Sequence, residues 1–321
     1  MKKFAVLTSG GDAPGMNAAV RAVVRTALHD GMEVMGVYRG YNGLINGDLK
    51  PMNLSSVSDV IHRGGTFLYS ARSPEFRTEE GMQKAIATCK EQGIEGVVVC
   101  GGDGSFRGAQ DLSRRGIPCV GIPCTIDNDI SSTEETIGYD TALNTALGMV
   151  DKLVDTSESH DRCSVIEVMG RNAGYIALNI GISVGATSVI IPEVAFDFEK
   201  DVLGRIREAA QTGKKHFIVV VAEGVDMGVT EMAKLIEGEL GIETRATILG
   251  HVQRGGSPTV RDRVLASRMG HMAVKLLEEG KSNRVVALQK EQLVDFDIEE
   301  ALAMKKELDV DLYKMALDIS T

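Results

Sequence analysis

Asp127 and Asp129 stand two residues apart in the run Thr125-Ile126-Asp127-Asn128-Asp129. Two carboxylates suffice for a metal contact and a general base, and an Asp of ordinary pKa, near ~4, is ionised at neutral pH. Upstream, Gly101-Gly102-Asp103-Gly104-Ser105 combines small residues, whose backbone amides can approach an anion closely, with a hard oxygen ligand suited to Mg2+. A second such turn, Thr8-Ser9-Gly10-Gly11-Asp12, lies near the start of the chain. Arg72, on a loop stopped by Pro74, and Arg171, after Gly170, can neutralise developing negative charge. An amide cradle, a metal ligand, positive charge and a base are the parts that phosphoryl transfer requires. The sequence has no G-x-x-x-x-G-K-[ST] loop, protein-kinase motif set, dinucleotide fingerprint or His/Cys cluster at zinc spacing.

These residues must be carried by strands and helices. The apolar run Val97–Cys100 reads as a buried parallel strand that ends at the glycine turn. Ser105 is expected to cap a helix running through Gln110 and Leu112, with an N-terminus that favours an anion. A second strand, Cys119–Ile122, ends at Thr125, so both polar clusters arrive at one sheet edge. The chain opens β-α-β: a strand at Phe4–Leu7, a helix from Met16 stopped at Gly31, and a strand at Glu33–Tyr38. Gly40–Gly47 reads as a loop, and Met82–Cys89 marks a helix that ends near Gly93. Ser131–Glu135 is polar and reads as a linker. Beyond it, strands at 164–169, 188–191, 217–222 and 244–249 alternate with helices at 139–155, toward Ser183, at 202–210 and at 232–240, a second doubly wound unit. Gly250–Pro258 is a glycine-rich loop carrying His251 and Arg254; a helix at 260–277, a strand at 284–288 and a helical tail complete the chain.

The 321 residues, 43% of them hydrophobic, are enough for two α/β domains with sizeable cores. A net charge of -10 argues against nucleic acid as a partner, and no apolar run reaches the length of a membrane span. Any anionic ligand therefore needs a local arginine cluster to overcome the global field. The five cysteines form no CxxC and read as core residues of a reduced, cytoplasmic protein. Arg21 and Arg25 lie four apart on one helix; spacing alone favours a solvated pair over an anion site.

Gly101–Ser105, Pro123-x-Thr125-Ile126-Asp127-Asn128-Asp129, Met169-Gly170-Arg171 and Gly250-His251-x-Gln253-Arg254-Gly255-Gly256, in this order, resemble bacterial ATP-dependent 6-phosphofructokinase along nearly the whole chain. The resemblance implies two similar doubly wound α/β domains per subunit, in a homotetramer. The ATP-binding domain would be residues 1–138 plus 251–303. The fructose 6-phosphate and effector domain would be residues 139–250 plus 304–321, with the sugar phosphate bound between the two. Asp127 would be the base for the 1-hydroxyl, and Thr125 and Arg171 would hold the reacting groups. Gly11 and Arg72 would meet the transferring phosphoryl group. Ser73, Gly102, Asp103, Gly104 and Ser105 would complete the ATP site, with Asp103 and Asp129 as Mg2+ ligands. Met169, Gly170 and Glu223 would contact the sugar. His251 and Arg254 would bind the 6-phosphate, with Arg162 and Arg245 from a neighbouring subunit.

Pyrophosphate-dependent members of the family resemble this chain but carry Asp where Gly104 stands and Lys where Cys124 stands. An acidic side chain at 104 would crowd and repel the α-phosphate of ATP, so Gly104 favours ATP, and Gly108 leaves room for the nucleotide. Cys124 replaces the usual Gly, which a Cys tolerates only where the backbone is not left-handed. A catalytically silent, nucleotide-sensing subunit would have lost the base or the metal ligand; Asp103, Asp127 and Arg171 are all in place. For an ADP or phosphoenolpyruvate effector, Arg21, Arg25, Asp59, Gly185, Lys214 and Lys215 match the family pattern. Val154, Thr187 and Thr212 replace two cations and a carboxylate.

Overall fold

Phe4, Ala5, Val6 and Leu7 are fully buried, as are Val97–Cys100 and Val219–Val220, so these strands are covered on both faces, the environment of a parallel sheet. The computed structural model describes residues 1–320; Thr321, the last residue of the second expected domain, lies outside the described residues. In chain order the strands are β1 (Lys3–Thr8), β2 (Glu33–Val37), β3 (Leu49–Met52), β4 (Val97–Gly101), β5 (Cys119–Pro123), β6 (Cys163–Val168), β7 (Ser188–Ile190), β8 (Phe217–Ala222), β9 (Thr244–Ile248), β10 (Arg284–Gln289) and β11 (Gln292–Asp297).

They build two sheets in two compact units. Among the described residues, the first unit comprises Met1–Ile126, Ile130–Thr141 and Arg254–Lys306; the second comprises Asp127–Asp129, Ala142–Gln253 and residues 307–320. Among the described residues the first unit has a seven-stranded sheet in the order β11-β10-β5-β4-β1-β2-β3. Its central strands are parallel, and β3 and β11 add antiparallel edges. The second has a four-stranded, all-parallel sheet in the order β7-β8-β6-β9. The expected α/β class with parallel sheets is therefore present.

In the first unit, helix Met16–His29 packs on helix Val260–Glu278. Thr259 caps the latter by accepting from the Asp262 amide. The Asp262 carboxylate, fully buried, accepts the backbone N–H of Gly138 at 2.7 Å and of Thr141 at 2.8 Å. It thereby fixes the segment that leads into helix Tyr139–Ser159. In the second unit, Val165, Val219 and Val221 pack with Val202, Ile206, Met232 and Ile236 from the flanking helical segments.

Several sequence expectations are corrected. Tyr41–Asn46, within the expected loop, is a short helix whose Tyr41 and Leu44 are core residues. The helix after β4 starts at Asp103 with Gly102 as its cap residue, so Ser105 lies inside the first turn and does not cap it. Ser131–Glu135 is not a solvated linker. Ser132 and Thr133 are buried within the first unit, and the Thr133 hydroxyl accepts the Leu288 N–H of β10 at 2.9 Å. Gly250–Arg254 is a short helical turn where a loop was expected. The expected helix at 202–210 begins as a wide helical turn, Phe198–Gly204, before regular helix Arg205–Gln211. The tail holds strand β11 before its two helices, Ile298–Ala303 and Val310–Asp318. Edge strand β3, with Pro51, was not expected at all.

Candidate active site

In the first unit the C-terminal ends of parallel β1, β4 and β5 lie side by side, with Thr8 opposite Cys100 and Gly101 opposite Pro123. The three following segments, Ser9–Asp12, Gly102–Ser105 and Cys124–Thr125, thus leave one sheet edge, the position where open α/β sheets bind ligands. Close backbone packing sets this edge. A Cβ at Gly101 would meet the Ser9 carbonyl at 2.7 Å and the Ser105 Oγ at 2.5 Å, so no side chain fits there. Cys124 donates its N–H to the Gly101 carbonyl at 2.9 Å, and Thr125 donates to the Ile137 carbonyl at 3.1 Å. Cys124 is not among the positive-φ residues, so the condition for replacing glycine there is met.

The helix Asp103–Arg114 directs its N-terminus to this edge with Asp103, half-buried, as its first residue. A Cβ at Gly102 or Gly104 would meet no atom within 4 Å, so nothing crowds the side-chain face of this turn at either glycine. Gly108 behaves differently. Its Cβ would meet the Tyr41 ring at 2.8 Å and the Phe76 ring at 3.0 Å, and these two rings stack with centroids 4.0 Å apart. The space at Gly108 is therefore filled by the protein's own aromatics. The Tyr41 hydroxyl, its pKa raised by burial, donates to the Ser105 carbonyl at 2.5 Å. That bond ties the aromatic pair to the first turn of helix Asp103–Arg114.

The 64–73 loop is pinned to the same edge. The Thr8 hydroxyl donates to the Tyr69 carbonyl at 2.9 Å, and the Ser70 hydroxyl donates to the Gly10 carbonyl at 2.7 Å. Arg72 is exposed and forms no ion pair among the described residues. Next to it, the Ser73 Oγ accepts the Phe76 N–H at 3.3 Å. Arg254, expected in a sugar-phosphate site, lies over Gly11: a Cβ there would meet its Nη1 at 2.8 Å, and that nitrogen donates to the Asp12 carbonyl at 3.2 Å.

In the second unit, Asp127 and Arg171 come together. The Asp127 side chain is 2% exposed, and its Oδ2 lies 3.8 Å from Arg171 Nε; Arg171 Nη1 lies 3.4 Å from Asp129 Oδ2. One guanidinium thus spans both carboxylates. Asn128 between them (φ 53°) and Arg171 (φ 56°) are both left-handed, a conformation that costs a non-glycine residue about 1–3 kcal/mol and clusters at functional sites. Two acceptors, taking three N–H groups, hold the Met169-Gly170-Arg171 turn. Glu223 Oε1 accepts the N–H of Gly170 at 3.1 Å and of Arg171 at 2.6 Å, and buried Gln253 Oε1 accepts the N–H of Met169 at 2.8 Å. At Gly170, φ is 147°, and a Cβ would sit 2.5 Å from the Ala173 carbonyl. Glu223, expected to touch a sugar, is therefore also the clamp of this turn. Burial, and then the Glu223 charge, raise the pKa of neighbouring Glu167.

Arg162 and Arg245 are elsewhere. They stand at the N-terminal edge of the second sheet, where Cys163 pairs with Thr244, whereas Met169, Arg171 and Glu223 follow the C-terminal ends of β6 and β8. The length of β6, at ~3.3 Å per residue, separates Arg162 from Met169 by roughly 20 Å. His251, exposed, follows β9 at the C-terminal edge. Glu243, which sequence reasoning missed, joins the two arginines: its Oε2 is 2.9 Å from Arg162 Nε and its Oε1 is 2.5 Å from Arg245 Nη2. The available signal was its place two residues before Arg245, on the same face of an extended segment.

Among the expected effector residues, Arg21 has its pKa lowered by burial and then by Arg25, so the two cations share one environment. A cavity of about 280 Å³ is lined by Arg25, Leu28, His29 and Leu54. Asp59, left-handed at φ 54°, and Gly185 and Lys215 are exposed; burial lowers the Lys214 pKa. Thr187 is fully buried. No cluster of three His, Cys, Asp or Glu side chains that could hold a metal occurs among the described residues.

The family model described as phosphofructokinase matches residues 3–277. ATP-dependent 6-phosphofructokinases of Bacillus licheniformis and Clostridium botulinum are 56% and 57% identical to this chain, over the full length of both partners in each case. The phosphofructokinase structure from Saccharomyces cerevisiae superposes with a TM-score of 0.90 at 36% identity, covering all of this chain and 48% of the yeast one, so this chain spans about half of that longer relative. The glycine turn before helix Asp103–Arg114, the Asp127–Arg171–Asp129 contact and the clamped Met169–Arg171 turn thus sit in a sequence matched from end to end, and the chain belongs to the phosphofructokinase family.

Proposed function

We propose that this chain transfers the γ-phosphoryl group of ATP to the 1-hydroxyl of fructose 6-phosphate, giving fructose 1,6-bisphosphate and ADP, the committed step of glycolysis. The observation that carries this reading is the nearly buried Asp127 carboxylate held 3.8 Å from Arg171. It pairs a proton acceptor with a cation for the phosphoryl oxygens. The names of the full-length relatives support the donor and the acceptor.

In this reading Asp127 takes the hydroxyl proton, and Thr125 and Arg171 hold the reacting groups. Gly11 and the cation of Arg72, which forms no ion pair among the described residues, meet the transferring phosphoryl group. Gly102, Asp103, Gly104 and Ser105 cradle ATP, with Ser73 beside them. Asp103 and Asp129 offer half-buried carboxylates, and no three-carboxylate cage occurs among the described residues, which fits Mg2+ bound largely through substrate phosphates. Asp103 and Asp129 would hold Mg2+, which would supply charge neutralisation at the phosphate oxygens.

Met169, Gly170 and Glu223 line the sugar, and His251 and Arg254 bind its 6-phosphate. Arg162 and Arg245 complete that site in a neighbouring subunit of a homotetramer. Their place at the opposite sheet edge from Met169 and Arg171 supports service to another subunit. The nucleotide domain is residues 1–138 plus 251–303, and the sugar-phosphate domain is residues 139–250 plus 304–321. The effector is a nucleotide or phosphoenolpyruvate, bound by Arg21, Arg25, Asp59, Gly185, Lys214 and Lys215. We place the enzyme in the cytoplasm, supported by five free, buried thiols. No helix among the described residues is long and apolar enough to cross a membrane.

A coupled assay with ATP against pyrophosphate tests the donor, and turnover with pyrophosphate alone would overturn it. Asp127→Ser tests the base. A general base contributes about 10²–10⁴-fold, so kcat should fall by that order while both KM values stay near wild type. A kcat within roughly threefold of wild type removes Asp127 from the role.

A further inference from the structure

The pair Arg162–Arg245 is held by one carboxylate, and that carboxylate has no part in the family roles assigned above. Glu243 stands just before β9, and Arg162 just before β6. Their backbones are locked side by side: Cys163 donates its N–H to the Glu243 carbonyl at 3.0 Å, and Phe217 donates to the Arg162 carbonyl at 3.0 Å. From this fixed base each Glu243 oxygen takes a different guanidinium, Arg162 at 2.9 Å and Arg245 at 2.5 Å. The Arg162 side chain is 27% exposed, that of Arg245 65%, and that of Glu243 38%. The guanidinium of Arg162, and after it that of Arg245, hold the Glu243 carboxyl below its usual range, so the group is ionised at neutral pH.

Two guanidiniums alone at the end of a sheet repel each other and keep their rotamer freedom. A carboxylate between them removes the repulsion, fixes their separation and still leaves the trio one positive charge. Fixing two long side chains before a ligand arrives removes an ordering cost from binding. We propose that Glu243 is a positioning residue that holds Arg162 and Arg245 as a preformed fork for the phosphate group of the substrate. The proposal rests on the reading of these arginines as phosphate ligands. The opposing effect is that Glu243 also repels an incoming phosphate. The fork wins because Arg162, largely buried, would otherwise lose its ion-pair partner, whereas Arg245 is exposed enough to turn toward an anion without leaving Glu243.

Steady-state kinetics on the whole enzyme decide it, with Glu243→Gln, Glu243→Asp and Arg245→Ala measured in parallel and melting temperatures recorded. Loss of one charge-assisted contact is worth roughly tenfold, so Glu243→Gln should raise KM for fructose 6-phosphate by about that factor. KM for ATP and kcat should stay within about twofold, because a fork acts on ground-state and transition-state binding alike. Glu243→Asp, which keeps the charge on a shorter arm, should recover part of the affinity. If Arg245→Ala raises KM while Glu243→Gln leaves it unchanged or lowers it, the positioning role is overturned and the phosphate site stands. If Arg245→Ala leaves KM unchanged, the phosphate site fails and the proposal with it.

Discussion

Replacing Glu223 tests how much of the proposed sugar site is backbone shape. Its Oε1 receives two N–H groups, from Gly170 and Arg171, and the second belongs to a left-handed non-glycine residue. The strain at Arg171 is about 1–3 kcal/mol. Each hydrogen bond to a charged acceptor contributes about 1.5–3 kcal/mol, reduced here because Glu223 is exposed and water can replace it. In Glu223→Ala the strained turn therefore loses most of what holds it, a net of about 1–2 kcal/mol. The competent turn should become about 5–30-fold rarer. Since Arg171 hangs from this turn, kcat/KM for fructose 6-phosphate should fall by that factor or more, with KM for ATP unchanged. Glu223→Gln separates the clamp from a charged contact to the sugar. It keeps an acceptor in the same place, so a clamp should retain activity within roughly fivefold of wild type. Equal, large losses in both variants would refute the clamp and leave Glu223 as a charged sugar ligand.

Gly104→Asp places a carboxylate in open space, so the melting temperature should hold while KM for ATP rises by roughly tenfold or more; an unchanged KM would refute the phosphate placement. Burial pushes Asp262 up to about 6, so the folded state binds that proton more tightly than the unfolded chain, and the resulting stability is lost as pH rises through that value. Relative to Asp262→Asn, wild type should lose about 2 kcal/mol of unfolding free energy between about pH 4.5 and about pH 7, and a flat difference would contradict the shift. With Thr187 buried and Val154 uncharged, millimolar MgADP should shift the half-saturation for fructose 6-phosphate by less than about twofold, because each missing charge-assisted contact weakens binding roughly tenfold; a strong shift at micromolar effector would refute this.

The central strands were legible because their apolar runs lie between two covered faces, a local signal that Phe4–Leu7 and Val97–Cys100 carry whole. Edge strands carry no such run. β3 has Pro51 and exposed Lys50, and β11 is reached through Lys290 and Glu291, both left-handed without the Gly or Asn that marks such a turn. The burial of Ser132 and Thr133 was hidden for another reason: it depends on Leu288, far along the chain, supplying the partner bond. In the candidate site the residue types were readable from motif chemistry. Their pairing was not. Nothing local says that Glu223 turns to the backbone of Gly170, and the spacing of Glu243 and Arg245 does not show that Arg162, far back in the chain, shares the same carboxylate.

The stacked Tyr41 and Phe76 rings fill the space that the missing side chain of Gly108 leaves. A methyl group added at 108 would collide with both rings, and a smaller residue at 41 or 76 would leave a void beside the helix that starts at Asp103. The three positions therefore form one unit of variation. Among homologous sequences, a side chain at 108 should be accompanied by a loss of bulk at 41 or 76, and a hydroxyl lost from 41 should free the Ser105 carbonyl for a different donor. A pairwise substitution record across relatives would show these positions drifting together while exposed Arg107, on the same helix, varies alone.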